Sequence, residues 1–573
     1  MAIIYVDNQP FEANPDNNLL HECLSLGFNL PYFCWHPAMH SVGACRQCAV
    51  TQYKDETDQH GRIVMACMTP AAEGTRISLK DQQSSTFRKT IIEWLMLNHP
   101  HDCPVCEEGG ECHLQDMTVM ARHSFRRTRF PKRTYRNQDL GPCIGHEMNR
   151  CIQCYRCVRF YEYAGGTDLE AFHIHDNVYF GRAQDGTLES EFSGNLAEVC
   201  PTGVFTDKTL AGRYTRKWDL RATPSICHHC SIGCNISPNE RYGELRRIIN
   251  RYNHDINGYF ICDRGRYGYQ FANSPARIRR SRFEDEPLGH DDALARLATL
   301  TVDPQRLVGI GSPRASVEAN MALRTLVGED RFSHGMARKE AERVDTAVKS
   351  LQSTKAHVPS VKETEQADAV LVLGEDVSNT APRLALALRQ TVRQKSYEIA
   401  KQLGVDHWHD ASVRDIGTHF QSPLFVASPA ATRLDDITVD DFRLAPQEIA
   451  RLGFAIAHAI DPEAPAVPGL DDDTRAAADR VAVVLKDAKR PLVVSGTGCG
   501  DPAVIAAAAN VADALAADHD AMLSLVVPEC NSAGANLIAG MDVETALAML
   551  DGEADTLVIL ENDLFRRAHA ATV

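Results

Sequence analysis

The spacing of its cysteines constrains this chain more than any other feature of the sequence. The 573 residues include 19 cysteines, of which 17 lie before residue 263, and only Cys499 and Cys530 follow. The odd count, the size of the chain and an N-terminus without a basic region and an apolar run argue against a disulfide-rich secreted protein. In a reducing compartment, closely spaced cysteines more often bind metal or act in redox chemistry. The first half of the chain is therefore predicted to contain metal centres.

The first group of four is Cys34, Cys45, Cys48 and Cys67, spaced Cys-x10-Cys-x2-Cys-x18-Cys. A loop that wraps a [2Fe–2S] cluster supplies closely spaced thiolates, and we expect the last thiolate to come from a neighbouring strand. The first gap is longer than the plant-type ferredoxin pattern has. For this group alone, a four-cysteine zinc ribbon is the alternative.

The second group lies in the string HPHDCPVCEEGGEC and comprises His99, Cys103, Cys106 and Cys112. One histidine and three cysteines can hold a [4Fe–4S] cluster, and a neutral imidazole in place of a thiolate changes the charge and the potential of the cluster. His99 follows a predicted helix, whose end it could instead cap, and His101 is a rival ligand by position. The spacing leaves this choice open.

The third group is Cys151, Cys154 and Cys157, closed by Cys200 in the dipeptide Cys-Pro. Three thiolates at this spacing and a remote Cys-Pro form the bacterial ferredoxin arrangement for a [4Fe–4S] cluster. No second triplet is present, so one cluster is predicted here. Zinc rarely takes ligands spaced in this way, because its tetrahedral sites use separated pairs.

The fourth group is Cys227, Cys230, Cys234 and Cys262, spaced Cys-x2-Cys-x3-Cys-x27-Cys. The four groups together use 15 cysteines and one histidine, and each closes at four ligands, which is difficult to obtain from zinc sites or by chance. The cysteines left over are Cys23, Cys143, Cys499 and Cys530. Cys23 and Cys143 are predicted to be small buried apolar residues.

These groups resemble those of the large iron–sulfur subunit of bacterial respiratory complex I, the NADH:quinone oxidoreductase. The first group is similar to the ferredoxin-like N-terminal domains of complex I and of related hydrogenase subunits. The second resembles the site of one histidine and three cysteines that complex I shares with iron-only hydrogenases, which favours His99. The fourth resembles the cluster site of molybdopterin oxidoreductases, although Arg264 stands where many active members have lysine.

The resemblance implies a subunit that relays single electrons from a flavin subunit toward quinone, with no substrate-converting site of its own. It implies one [2Fe–2S] cluster, three [4Fe–4S] clusters and no molybdopterin. The implied partners are the flavin- and NADH-binding subunit, a small [2Fe–2S] subunit and downstream [4Fe–4S] subunits. The implied location is the cytoplasmic face of the bacterial inner membrane. The cluster of the fourth group lies aside from the main path in the family.

The predicted fold class is multidomain α+β and α/β. We expect a plant-type ferredoxin-like β-grasp domain over residues 1–80, a one-histidine, three-cysteine segment over 81–120 and a bacterial-ferredoxin-like domain over 121–220. A molybdopterin-oxidoreductase-type [4Fe–4S] domain is expected over 221–275. From 276 to 573, alternating strands and helices predict a doubly wound parallel sheet, similar to molybdopterin oxidoreductases but without their cofactor. The chain ends soon after a strand, which suggests a fragment.

Charge and hydropathy exclude other classes. Residues 1–280 have a net charge of +1 and the remainder −17, so nucleic acid is not expected as the main partner. No segment approaches the length of a membrane-spanning apolar helix, and mean hydropathy is −0.28, so membrane contact is expected only through partners. The basic run at 122–136 could dock an acidic partner, bind phosphates, offset anionic clusters or simply be solvated. Its members are Arg122, Arg126, Arg127, Arg129, Lys132, Arg133 and Arg136.

Other functions remain as alternatives. The chain could be the iron–sulfur subunit of a soluble NAD-linked formate dehydrogenase or hydrogenase. However, no cysteine lies between Cys262 and Cys499 to bind a pterin-held metal, although some relatives use Ser or Asp there. The two late cysteines are too few for the catalytic cluster of an iron-only hydrogenase. The turn Gly496-Thr497-Gly498-Cys499-Gly500 lacks the full G-x-G-x-x-G pattern, so it is a weak candidate for a nucleotide site.

Overall fold

The structure is a computed structural model that describes residues 1–175 and 177–569. Its N-terminal part is a five-stranded mixed sheet in the order β2-β1-β5-β3-β4, with a helix packed across it. The elements are β1 (Ala2–Val6), β2 (Gln9–Ala13), α1 (Leu19–Ser25), β3 (Ala49–Tyr53), β4 (Arg62–Met65) and β5 (Arg76–Ser78). The hairpin of β1 and β2 turns at Asp7 and Asn8, both of which adopt positive φ. Asn18 begins α1, because its side chain accepts a hydrogen bond from the His21 amide at 2.9 Å.

The next part is rich in loops. It contains α2 (Gln82–Leu95), α3 (His113–Met120), β6 (Ile144–His146), α4 (Arg156–Tyr163), β7 (Glu170–Ile174), β8 (Asn177–Gly181), α5 (Leu196–Val199), β9 (Phe205–Asp207) and α6 (Lys208–Ala211). The strands form two antiparallel pairs, β6 with β9 and β7 with β8. The apolar spacing predicts that α2 extends to residue 98, but the helix ends three residues earlier.

A small antiparallel sheet follows, in which β12 pairs with β10, β11 and β13. Its elements are β10 (Arg221–Ala222), β11 (Ser225–Ile226), β12 (Asn235–Arg241), β13 (Glu244–Asn250), α7 (Asp263–Tyr267) and α8 (Gln270–Asn273). Two antiparallel strands of two residues each, β14 (Arg282–Phe283) and β15 (Glu286–Pro287), lead into the last part of the chain.

The last part, the α/β region, alternates strands and helices. Its strands are β16 (Leu307–Ile310), β17 (Phe332–Ser333), β18 (Ala369–Leu373), β19 (Leu424–Ser428), β20 (Asp440–Arg443), β21 (Pro491–Gly496), β22 (Met522–Val526) and β23 (Thr556–Ile559). Its helices are α9 (His290–Leu300), α10 (Val317–Val327), α11 (Arg338–Ser353), α12 (Val361–Thr364), α13 (Val377–Thr380), α14 (Pro382–Thr391), α15 (Gln394–Gln402), α16 (Asp410–Gly417), α17 (Pro446–Ile460), α18 (Asp472–Asp487), α19 (Pro502–Leu515), α20 (Ser532–Leu537) and α21 (Val543–Ala548).

The main sheet of this region is parallel, in the order β20-β19-β18-β21-β22. Strand β18 is buried on both faces: Leu371 and Leu373 pack with α17, α18 and α19, whereas Val370 and Val372 pack with α14. Alternate side chains therefore serve two helical layers, which confirms the doubly wound arrangement.

The first and last strands of the region form a sheet of their own. β16 pairs in parallel with β17 and β23 rather than joining the main sheet. The α/β region thus contains two parallel sheets where the alternation of elements predicted one. Within the described residues, no helix has both the length and the apolar character needed to cross a bilayer.

Candidate iron–sulfur centres

The first cysteine group converges between a loop and a turn. Cys34, Cys45 and Cys48 lie on the loop that follows α1. We expected Cys67 to lie in a strand, but it lies in a 3-10 turn just after β4. The amide of Cys34 donates to Cys45 Sγ at 3.4 Å, and the amide of Cys67 donates to Cys48 Sγ at 3.5 Å. Hydrogen bonds from the thiols of Cys45 and Cys67 lower the pKa of Cys34, and the same contacts raise the pKa of both donors. The four sulfurs therefore face one another.

The second group surrounds a cavity between α2 and α3 that is lined by His99, Cys103, Cys106 and Cys112. The Nδ1 atom of His99 is buried and has no hydrogen-bond partner. Burial lowers the pKa of His99 to about 4, so its imidazole is neutral and has a lone pair to donate. His101 lines the same cavity but is exposed. An orphaned buried nitrogen is costly unless it binds something, which favours His99 over His101.

The third group lines one small apolar cavity, which all four of its cysteines share with Ile152, Phe180, Val204 and Phe205. Cys157 lies in α4 and Cys200 directly after α5. Gln153 and Tyr155 alternate with the cysteines and adopt positive φ, which turns the loop tightly enough to aim successive sulfurs inward. Burial raises the pKa of these thiols, that of Cys154 to about 12.

The fourth group lies between β11 and α7, and each of its sulfur-bearing side chains is buried. The amide of Cys227 donates to the carbonyl oxygen of Cys234 at 2.8 Å, and Cys262 begins α7. A Cβ atom on Gly265 would lie 3.4 Å from Cys227 Sγ and 3.7 Å from Cys262 Sγ. The start of α7 therefore lies within van der Waals reach of both sulfurs.

Three of the groups contribute to one apolar cluster. Cys34 of the first group, Cys112 of the second and Cys154 of the third are buried together with Phe33, Ile92, Met96, Leu114, Met117 and Ile152. The fourth group stands apart from this cluster. Its Cys227 and Cys234 pack with β12 and β13, and Cys262 packs with Cys157 and Cys200 of the third group.

The donor set suits iron–sulfur clusters, because buried thiols and one orphaned imidazole in apolar surroundings are the ligands and the environment that such clusters use. In the described part of the chain, no three His, Cys, Asp or Glu side chains are arranged to hold a single metal ion. The cysteines outside the groups have other surroundings. Cys23 is fully buried in the core around α1, as predicted, and the sulfur of Cys530 contacts the carbonyl oxygens of Pro313 and Arg314.

The basic run is largely bonded to this chain itself. Arg127 pairs with Glu93, Arg136 pairs with Asp185, and Arg126 donates to the carbonyl oxygen of Leu97 at 2.9 Å. Lys132 donates to the carbonyl oxygen of His99, next to the second group. These contacts link the run to the loops around the second and third groups.

Sequence reasoning missed the buried arginines beside the third group. Arg150, Arg156 and Arg159 are each less than a tenth exposed. Arg150 donates a hydrogen bond to Asp102 in the loop of the second group, and Arg156 and Arg159 donate to carbonyl oxygens in the loop of the first group. The available signal was their position, since three basic residues interleaved with a cysteine motif are unusual for a solvated surface.

Four family models match segments of the chain. They describe a 2Fe-2S iron-sulfur cluster binding domain at 1–82, an NADH-ubiquinone oxidoreductase-G iron-sulfur binding region at 88–127, an NADH-quinone oxidoreductase subunit 3 ferredoxin-like domain at 141–206 and a molybdopterin oxidoreductase Fe4S4 domain at 220–274. Each matched segment contains all four members of one group. The predicted classes of cluster, [2Fe–2S] and [4Fe–4S], are thereby confirmed.

Similar proteins extend this match along the whole chain. The NADH-quinone oxidoreductase subunit that is designated G is 59% identical in Pseudomonas putida, and 56% identical in Salmonella typhimurium and in Escherichia coli K12, each over 100% of this chain. The chain spans 64% of the length of each of these relatives. A chain from the crystal structure of NAD+-reducing [NiFe]-hydrogenase in the H2-reduced state is 27% identical, with coverage of 36% of this chain and 87% of that chain, at a TM-score of 0.33 that supports no structural argument. On the strength of the full-chain identities, this chain belongs to the family of NADH-quinone oxidoreductase subunits that are designated G.

Proposed function

We propose that this chain relays single electrons within an NADH:quinone oxidoreductase. The observation that supports the proposal best is the shared apolar cluster of Cys34, Cys112 and Cys154. One side chain from each of three groups belongs to this buried apolar cluster, so the three sites adjoin one core. Electron transfer needs this arrangement, since a short path through protein keeps the sites coupled.

The proposed ligands are the sixteen side chains of the four groups. The first group would hold a [2Fe–2S] cluster, and each of the others would hold a [4Fe–4S] cluster. The assignments are Cys34, Cys45, Cys48 and Cys67; His99, Cys103, Cys106 and Cys112; Cys151, Cys154, Cys157 and Cys200; and Cys227, Cys230, Cys234 and Cys262. When bound, such clusters accept and release one electron at a time.

The chain itself tunes the first three sites. Main-chain amides donate to the sulfurs of Cys45, Cys48 and Cys151 at 3.3–3.5 Å. Hydrogen bonds to ligand sulfur stabilise the more negative, reduced state and so raise a potential. The neutral imidazole of His99 removes one negative charge from the second site. The lining of the third site is largely apolar, so its charge would be compensated mainly by the protein.

The partners proposed for this function are the flavin- and NADH-binding subunit, a small [2Fe–2S] subunit and downstream [4Fe–4S] subunits. The proposed location is peripheral, on the cytoplasmic face of the inner membrane. The proposed divisions of the chain are residues 1–80, 81–120, 121–220, 221–275 and 276–573, of which 176 and 570–573 lie outside the described residues. The last division is proposed to serve as scaffold without a pterin cofactor.

The test is anaerobic purification followed by iron and acid-labile sulfide analysis and EPR spectroscopy. The proposal predicts about 14 irons and 14 sulfides per chain, with one [2Fe–2S] and three [4Fe–4S] signals. A protein that contains zinc without sulfide would overturn it. Molybdenum or tungsten together with formate turnover would instead support the catalytic alternative.

A further inference from the structure

The loop that carries the first ligand of the first group is held by three separate parts of the chain. This segment, residues 34–41, is called the first-site loop here. His36 stacks on Phe260 with ring centroids 5.6 Å apart, and Phe260 in turn contacts Phe160 of α4 at 4.8 Å. The loop therefore packs against residues that precede the last cysteine of the fourth group as well as against the helix of the third.

Two arginines of α4 bind the main chain of the first-site loop. Arg159 donates to the carbonyl oxygen of Cys34 at 2.9 Å, to that of His40 at 3.1 Å and to that of Met39. Arg156 donates to the carbonyl oxygen of Trp35 at 2.5 Å. These two residues flank Cys157, a proposed ligand of the third site. The same turn of α4 therefore carries a proposed third-site ligand and hydrogen-bonds to the first-site loop.

The α/β region completes the arrangement from the opposite side. Asp410, the first residue of α16, accepts a hydrogen bond from Arg159 Nε at 2.7 Å, and the two side chains are only 4% and 3% exposed. The amide of Asp410 also donates to the carbonyl oxygen of Ser41 at 3.1 Å, and the amide of Ser41 donates to the carbonyl oxygen of Trp408 at 3.0 Å. The first-site loop thus continues into a β-bridge with the α/β region.

A buried charge of this kind is expensive unless it is paired, and its forked geometry sets the position of whatever it binds. We propose that Arg159 and Asp410 are positioning residues, through which the α/β region clamps the first-site loop to α4 and fixes both the separation of the first and third sites and the potential of the first. This inference rests on the proposed function, because it assumes that both sites hold clusters. It gives the α/β region a role in the relay beyond that of passive scaffold.

The two residues have opposite electrostatic effects on the first site. The guanidinium of Arg159 contacts the carbonyl oxygen of Cys34, and a nearby positive charge stabilises the reduced cluster, which is more negative. Asp410 offsets that charge, and it also pairs with Arg414 at 3.1 Å and with Arg393 at 3.5 Å. Removing the cation should therefore lower the potential of the first site, and neutralising Asp410 should raise it. A purely structural role predicts no such reversal of sign.

The experiment compares Arg159→Gln, Asp410→Asn and Arg159→Lys in the cluster-loaded full chain. The control is Asp440→Asn, which removes an exposed pair with Arg480 at 3.0 Å in the α/β region and touches neither Asp410 nor a cysteine loop. Midpoint potentials come from EPR-monitored redox titration. Hydrogen exchange at the amides of Ser41 and Asp410 reports the clamp independently of electron transfer.

We expect a lower [2Fe–2S] midpoint potential in Arg159→Gln, a higher one in Asp410→Asn and faster exchange of both amides in each. Arg159→Lys keeps the positive charge but loses the forked hydrogen-bonding geometry of the guanidinium. The midpoint potential of the first site should therefore stay near that of the unmodified chain, while exchange of the two amides accelerates. Loss of the [2Fe–2S] signal alone in Arg159→Gln would also support the clamp. If Arg159→Gln does not fold, Asp410→Asn and Arg159→Lys decide.

Unchanged potentials and exchange in these variants, or equal shifts in Asp440→Asn, would overturn the inference. A first site that shows no [2Fe–2S] signal in the unmodified chain would instead contradict the proposed function. The two failures are therefore distinguishable.

Discussion

Lys217 Nζ lies 2.9 Å from a carboxylate oxygen of Glu108, and the two side chains are only 6% and 11% exposed. Glu108 belongs to the loop between Cys106 and Cys112, whereas Lys217 comes from the segment that leads into the fourth-group sheet. Glu111 of the same loop pairs with Arg247 of β13 at 2.6 Å. Two ion pairs, of which Lys217–Glu108 is buried, therefore attach the loop of the second group to the segment and sheet of the fourth.

Replacing Lys217 with methionine should weaken this attachment. The change leaves the buried carboxylate of Glu108 without its nearest cation, and breaking such a pair costs about 3 kcal/mol. Native-state hydrogen exchange at the Gly109 amide, which bonds to the Cys106 carbonyl oxygen, measures the local free energy of opening. Lys349→Met, which breaks an exposed pair with Asp345, is the control and should change stability by less than about 0.5 kcal/mol. Equal effects of the two substitutions would contradict the argument.

Replacing His99 with cysteine should retain a cluster at the second site but lower its midpoint potential. A thiolate adds a negative charge where the imidazole is neutral, and the added charge disfavours reduction. EPR-monitored redox titration measures the shift. His101→Ala is the matched control, because His101 lines the same cavity from an exposed position, and it should leave the potential unchanged. An altered signal in His101→Ala together with an unchanged His99→Cys would reassign the ligand.

Replacing Cys154 with alanine should remove the third cluster. The site would lose one of four thiolates from a closed apolar cavity, where water cannot readily substitute. We expect one [4Fe–4S] EPR signal to disappear, about four irons per chain to be lost, and electron flow from NADH to quinone to slow in the assembled complex. Cys143→Ala, which removes a half-buried cysteine outside the groups, should change neither spectra nor iron content. An unaltered spectrum of Cys154→Ala would remove the third site from the proposal.

Acidification should destabilise the structure around His146. The amide of Gln138 donates to His146 Nδ1 at 3.0 Å, so Nε2 carries the proton and donates to the Phe180 carbonyl oxygen at 3.0 Å. Burial lowers the pKa of this imidazole to about 4. Because the folded pKa lies below the unfolded value of about 6.5, stability is complete above about pH 6.5 and is lost as the pH falls toward 4.

This shift corresponds to a loss of about 2 kcal/mol between pH 7 and pH 5. Hydrogen exchange at the Gln138 amide, corrected for the intrinsic dependence on pH, measures it. His146→Gln can accept and donate the same two hydrogen bonds but does not titrate, so its pH dependence should be flatter. An equally steep dependence in the variant would show that His146 is not the group responsible.

Much of the fold could be predicted because its signals are local. Strand β18, AVLVL, is an uninterrupted apolar run bounded by polar residues, and such a run predicts a strand buried on both faces. The hairpin of β1 and β2 could be predicted because two alternating segments flank Asp7 and Asn8, residue types that tolerate positive φ. The ligand groups were visible for a similar reason, since closely spaced thiols rarely occur without a shared partner.

The rest depends on pairing between distant residues. The local pattern of β16 resembles that of β18, so nothing in it shows that β16 joins a sheet with β23, about 250 residues later in the chain. Arg159 and Asp410 are separated by 251 positions, so no local pattern shows that they form a pair. The choice of His99 over His101 rests on the burial of a single nitrogen atom, which no spacing encodes.

The common core of Cys34, Cys112 and Cys154 also bears on how the protein matures. If these groups hold the proposed clusters, the chain without metal must bury one thiol from each of three groups with nothing to bind it, and we expect its interior to close less well until iron and sulfide arrive. We expect cofactor delivery and folding to be a single cooperative event across these sites. A cell that is short of iron would therefore accumulate chains that are vulnerable to proteases rather than partly loaded subunits.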